Sequence, residues 1–154
     1  AALLTFQMRR LDSPMEFDLE LAKEQSSENP VYYIQYAHAR TVGILRTAAE
    51  QGVRWQPPQE SDLARLVLGE ELGLLKALAA YPDVLQEAAH AYEPHRVAYF
   101  LQELAGLFHA YYYKHRIITD DRPLSAARLA LVAAVGVVLR NALAIFGVSA
   151  PERM

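Results

Sequence analysis

From Leu129 to Leu139 the chain reads Leu-Ala-Leu-Val-Ala-Ala-Val-Gly-Val-Val-Leu, with no polar side chain until Arg140 and Asn141 interrupt it. A helix that is apolar all round has no face to offer water, so it must be surrounded by other helices. The run falls short of the roughly 20 residues that a bilayer-spanning helix needs. It is therefore expected to be a buried core helix, capped by Ser125 and stopped at Gly147. The rest of the chain agrees. Apolar residues recur at helical spacing nearly throughout, and neither an alternating strand pattern nor an internal repeat is visible. At 154 residues the chain suffices for one domain with a real core. The expected fold class is all-α, a helical bundle of about five to six helices with short connections.

Prolines and glycines divide the bundle. Ala2 to Arg10 reads as the end of a helix cut from a longer protein, and its apolar start is too short for a signal peptide. Asp12-Ser13-Pro14 is a turn, Phe17 to Gln25 a second short helix, and Ser26 to Pro30 a loop. A long helix is predicted from Val31 to Gln51, with Pro30 in its first turn and Gly52 as its stop. Pro57-Pro58 marks a connection. Ser61 or Asp62 is expected to cap a helix from Leu63 to Ala80, with Leu68, Leu72, Leu75 and Ala79 on its buried face. Pro82 opens a short helix to Tyr92, and Pro94 a longer one to His115 that carries Leu101, Leu104, Ala105, Phe108 and Tyr112 along one side. Ile117 to Pro123 is a loop.

Several chemistries find no support. The chain has no Cys, which excludes disulfides, thiol nucleophiles and Cys-ligated zinc. Glu87-x-x-His90 has the spacing of di-iron bundles, but a second copy is missing. Neither an H-E-x-x-H nor a G-x-S-x-G string occurs, so no catalytic residue and no metal site are expected. The net charge of −3 argues against indiscriminate binding of polyanions. The charge is unevenly spread, however. The first thirty residues are acidic, whereas Arg40, Arg46 and Arg54, and then Arg96, Lys114, Arg116, Arg122 and Arg128, are locally in excess. RNA binding would rest on a local basic face, with base contacts supplying selectivity.

Two aromatic clusters fit that description. In Tyr32-Tyr33-Ile34-Gln35-Tyr36-Ala37-His38-Ala39-Arg40, helical spacing aligns Tyr32, Tyr36 and Arg40 in one stripe. In His109-Ala110-Tyr111-Tyr112-Tyr113-Lys114-His115-Arg116, three consecutive tyrosines spread over about 200° of a helix, so they cannot all enter one core. Tyrosines beside cations can stack unpaired bases. They can equally pack in a bundle with their hydroxyls at its rim. The residues alone leave both possibilities open.

The string E-N-P-V-Y-Y-x-Q-Y-A-H-A-R at Glu28 to Arg40, and the ending G-V-x-A-P-E-R-M at Gly147 to Met154, resemble the C-terminal anticodon-binding (DALR) domain of arginyl-tRNA synthetases. Ala127 to Leu131 and Val138 to Leu143 are similar to two further helical motifs of that family. The resemblance implies a helical bundle of the class I synthetase anticodon-binding type at residues 30–154, preceded by a remnant at residues 1–29 that connects to a catalytic domain. It implies that Tyr36, Arg40 and, less directly, His38 lie on the RNA side. Tyr112 is the best aligned second tyrosine, with Tyr111 as the fallback and Lys114 and Arg116 following. Met154 is placed beside the same surface, and the loop Gln25 to Asn29 rearranges when tRNA docks. The implied partners are the tRNA(Arg) anticodon loop, read at its middle cytosine and more weakly at its third base, and the catalytic domain of the same enzyme. Neither a membrane nor DNA is an implied partner, and the expected state is a cytoplasmic monomer.

The H-I-G-H-type and K-M-S-K-S-type segments of class I synthetases are absent from this sequence. ATP and L-arginine are therefore expected only for a parent enzyme, with no cofactor and no aminoacylation in this chain. Two alternatives are an all-α protein-interaction module that buries a partner helix on the tyrosine face, and the equivalent bundle of a related synthetase such as that for cysteine.

Overall fold

The computed structural model describes residues 26, 28–53 and 59–154. The helices expected over Ala2 to Arg10 and Phe17 to Gln25, the turn between them and the Pro57-Pro58 connection lie outside the described residues. Four long helices and one single-turn helix follow: α1 (Pro30–Glu50), α2 (Glu60–Leu63), α3 (Gly69–Ala91), α4 (His95–Lys114) and α5 (Arg122–Ile145). Among the described residues there is no strand.

Helix α1 begins where the sequence predicts. The Asn29 side-chain oxygen accepts the Val31 N–H at 3.0 Å and the Tyr32 N–H at 3.4 Å, and Pro30 needs no such partner. At its end the chain turns through Gly52, whose φ of 74° suits a residue without Cβ. Helix α5 is the apolar helix from which the fold was inferred. It packs against all four other helices, and Leu129, Val132, Val135, Leu139 and Leu143 on its inner side are buried. By length and composition alone it could cross a membrane; here its inner side is the centre of the bundle, while Ala134 and Val137 are exposed, so it is not surrounded on every side as the sequence predicts. Gly136 lets α1 come close, because a Cβ at this position would lie 2.6 Å from the Thr41 hydroxyl oxygen.

Three expectations need correction. Asp121, not Ser125, caps α5: its carboxylate accepts the Leu124 N–H at 3.1 Å. Ser125 is buried one turn in, where its hydroxyl accepts the Thr119 N–H at 2.8 Å and so ties down the preceding loop. Second, the predicted Leu63 to Ala80 helix breaks. Glu60–Leu63 forms a single turn, in which the Asp62 carboxylate accepts the Gln59 N–H, and the helix restarts at Gly69. Its buried positions are Glu71, Leu74 and, near its end, Ala88, while Leu72 and Leu75 are 44% and 37% exposed. Third, Pro82 does not open a new helix but lies inside α3. It leaves the Leu78 carbonyl without its usual donor. The paired α3 and α4, with Tyr81 stacked on Phe100 at 5.6 Å, carry the helix past it. This fusion reduces the expected five to six helices to four long ones among those described.

Helix α3 ends on Tyr92, a non-glycine residue at φ 56° with 83% of its surface exposed. A side chain in the left-handed region costs about 1 kcal/mol, and this one gains little burial in return. Tyr92→Gly is expected to raise stability by up to about 1 kcal/mol, seen as a higher urea midpoint at an unchanged slope.

A buried ionic junction holds the bundle together. Glu71 is completely buried. Its carboxylate accepts the Leu68 N–H at 3.0 Å, the Arg128 Nε–H at 2.8 Å and the Tyr111 hydroxyl at 3.2 Å. Arg128 Nη1 also donates to the Arg116 carbonyl at 2.6 Å. One carboxylate thus joins the start of α3 to α4, α5 and the segment after α4. Burial, reinforced by the Glu71 charge, pushes the Tyr111 pKa up and keeps its hydroxyl a donor.

Candidate nucleic-acid interface

A cleft of about 730 Å³ opens between α1, the end of α4 and the C-terminal tail. Helix α1 supplies one wall through Tyr36, Arg40, Gly43 and Thr47, at the three- and four-residue spacing that keeps them on one face. Tyr112 and Arg116 line the other side, and Met154, on the tail, lines it as well.

Arg40 is the centre of the cleft. Its guanidinium carbon lies 4.6 Å from the Tyr36 ring centre, 4.5 Å from that of Tyr112 and 5.2 Å from that of Tyr113. These distances are within the range of cation–π attraction. Nη2 donates to the Tyr36 hydroxyl at 2.9 Å, and Nη1 to His109 Nδ1 at 3.0 Å. Burial works against the Arg40 charge, yet hydrogen bonds with the Tyr113 and Tyr36 hydroxyls outweigh it and raise its pKa. Tyr36 and Tyr112, at 37% and 38% exposed, remain accessible. Tyr36 is nearly parallel to Tyr32, at 6.4 Å and 7°.

His109 sets the orientation of this cation. With Nδ1 accepting from Arg40, the ring proton belongs on Nε2, which faces the Tyr33 carbonyl at 3.4 Å. Burial lowers the His109 pKa, the adjacent Arg40 charge lowers it further, and the Tyr33 carbonyl opposes both only in part. The folded protein therefore resists a proton that the unfolded chain accepts near pH 6.5. Below that value the unfolded state binds more protons, so stability should fall as pH drops through about 6.5 towards the lower folded pKa. The urea midpoint is expected to decline between pH 7.5 and 5.5, and to decline less in His109→Gln, whose amide does not titrate.

The structure gathers Tyr36, Arg40, Tyr112, Arg116 and Met154 into the cleft, but not the other sequence candidates. His38 is buried on another face of α1, with Nδ1 2.9 Å from the Pro151 carbonyl. Together with the Gln35 amide, which donates to the Ser149 carbonyl at 2.8 Å, it clamps the tail that carries Met154. Tyr111 is fully buried on Glu71 and presents no face to a base. Lys114 leans away onto Glu70 at 2.9 Å, and this contact holds the Glu70 pKa down to about 2. Sequence reasoning missed Gly43, Thr47 and His109. Continuing the Tyr32–Tyr36–Arg40 stripe by two more helical steps would have reached the first two. Nothing in the local pattern marks His109 as the partner of Arg40.

Tyrosine faces around a guanidinium on an all-α module have the chemistry to stack unpaired bases, and the described lining residues hold no constellation for covalent chemistry. The chain belongs to the DALR anticodon binding domain family, which matches residues 34–154. It is similar to the arginine–tRNA ligase of Syntrophotalea carbinolica, 56% identical over 149 residues that cover 97% of this chain and 27% of that ligase. The ligase of Citrifermentans bemidjiense is 53% identical over 156 residues, covering 100% of this chain and 28% of its own length. Among solved structures, Thermus thermophilus arginyl-tRNA synthetase superposes with a TM-score of 0.81 at 28% identity, over 99% of this chain and 26% of that one. The chain thus spans little more than a quarter of the curated relatives it matches.

Proposed function

We propose that this chain is the anticodon-reading part of an arginine–tRNA ligase and that the Arg40-centred cleft is its reading site. The observation that carries this proposal is the convergence of Tyr36, Arg40, Tyr112, Arg116 and Met154 on one cleft. Tyr36 and Tyr112 supply stacking faces for an anticodon base taken out of its stack. Arg40, held between them, donates to a base edge or the adjoining phosphate. Arg116 adds charge, and Met154 adds a flexible apolar side chain to the lining. The energetic role is differential binding, which places the acceptor end of tRNA(Arg) in a catalytic domain. ATP and L-arginine belong to that domain. Residues 30–154 form the reading bundle, and residues 1–29 connect it to the catalytic part. The setting is a monomeric cytoplasmic enzyme.

The test is binding of this chain to arginine tRNA and to the same tRNA with its middle anticodon base changed, at one fixed salt concentration. Tighter binding of the unchanged tRNA is expected. Equal binding of the two by a folded sample would reject base readout by this cleft.

A further inference from the structure

Beside the aromatic cleft lies a second concavity of about 580 Å³, between the residues that follow α1 and the start of α5. Arg116 and Ile118 line both, so the two adjoin. Their chemistry differs: among the described residues no aromatic side chain lines the second, and its cations there are Arg116 and Arg122. Both arginines are exposed, and neither side chain has an ion-pair or hydrogen-bond partner among the described residues. Asp121 next to them is already engaged, by Arg65 at 3.0 Å and by the Leu124 N–H at 3.1 Å. Asp120 is then the carboxylate among the described lining residues. Two guanidinium groups outweigh it, at the electropositive end of a 24-residue helix. A base held in an aromatic recess leaves its sugar–phosphate chain at the rim, and guanidinium matches phosphate oxygens two at a time.

We propose that this groove is a backbone-phosphate subsite, in which Arg116 and Arg122 hold the phosphate of a nucleotide adjoining the one in the aromatic cleft; the proposal rests on the anticodon-binding role argued above. The subsite reads no sequence, so it adds affinity equally for any anticodon.

The test is Arg122→Gln, with Asp120→Asn as its counterpart, in the full chain, against arginine tRNA and the changed-anticodon tRNA across a sodium chloride series. For Arg122→Gln, affinity for both tRNAs is expected to fall about fourfold at 0.15 M salt, the salt slope to shrink by about 0.7, and the ratio between the tRNAs to stay fixed. Asp120→Asn should tighten both equally. If the wild type discriminates between the tRNAs while neither variant changes affinity or slope, the subsite is overturned and the anticodon role stands. Loss of discrimination in Arg122→Gln would make Arg122 a base contact and would also overturn it. A wild type that binds neither tRNA overturns the anticodon role and the subsite together.

Discussion

Replacing Glu71 with alanine is expected to cost about 3–5 kcal/mol. The carboxylate is completely buried and satisfies three donors from three parts of the chain. Without it, Arg128 keeps a buried charge whose remaining partner is the Arg116 carbonyl, and the Tyr111 hydroxyl loses its acceptor. A loss of this size is a large part of the roughly 5–15 kcal/mol that a domain of this kind has in all. It should lower the melting temperature by at least about 6 °C. Arg128→Ala should be similarly damaging, because it strands the carboxylate instead. The double variant Glu71→Leu with Arg128→Met should recover much of the loss, since the dominant penalty is one buried charge without its partner. Urea denaturation of the three variants decides the matter. If either single variant lies within about 1 kcal/mol of wild type, the junction does not hold the helices together.

Tyr36→Ala and Tyr112→Ala are each expected to weaken tRNA binding by about 1–3 kcal/mol while leaving the melting curve close to that of wild type. Both rings are partly exposed, so truncation opens little core. Because Arg40 lies over both rings, the two losses should not add, and the double variant should fall short of their sum. Tyr36→Phe separates two effects. It keeps the stacking face but removes the hydroxyl that accepts from Arg40. An intermediate affinity would show that the placement of Arg40 matters beyond stacking. Unchanged affinity in a folded Tyr36→Ala variant would remove Tyr36 from the site.

The parts of the fold legible in the sequence were those set by local rules. The apolar Leu129–Leu139 run could only be central, and Asn29-Pro30 with Gly52 gave the limits of α1 to within a residue or two. Helix α3 was misread because its burial is governed by Glu71. A pattern of leucines cannot register a buried carboxylate whose partner, Arg128, lies 57 positions away. The leucine stripe therefore pointed one residue off, and Pro82 was given the role it has in isolated helices. The placing of Tyr36 and Arg40 side by side was legible because both follow one helical face, whereas Tyr112, which the pattern set on the apolar side of its helix, was singled out only by the family resemblance. That Tyr111 is the buried one was not legible, because neighbouring tyrosines look alike until packing assigns one of them to the core. His38 and His109 exchanged expected importance for the same reason. Each is defined by a partner on another element, Pro151 and Arg40 respectively.

The segment between α4 and α5 is held from within, by Arg128 on the Arg116 carbonyl and by Ser125 on the Thr119 N–H. Its conformational entropy is thus lost during folding, before any RNA arrives. This segment would then add no ordering cost of its own to binding at the cleft. A redesign that exchanged the buried ion pair for well-packed apolar side chains could match the stability of the native domain. It would free the Arg116 carbonyl and loosen the start of the segment, leaving Ser125 on the Thr119 N–H as the tether of the rest, so the surface would be less ready at each encounter.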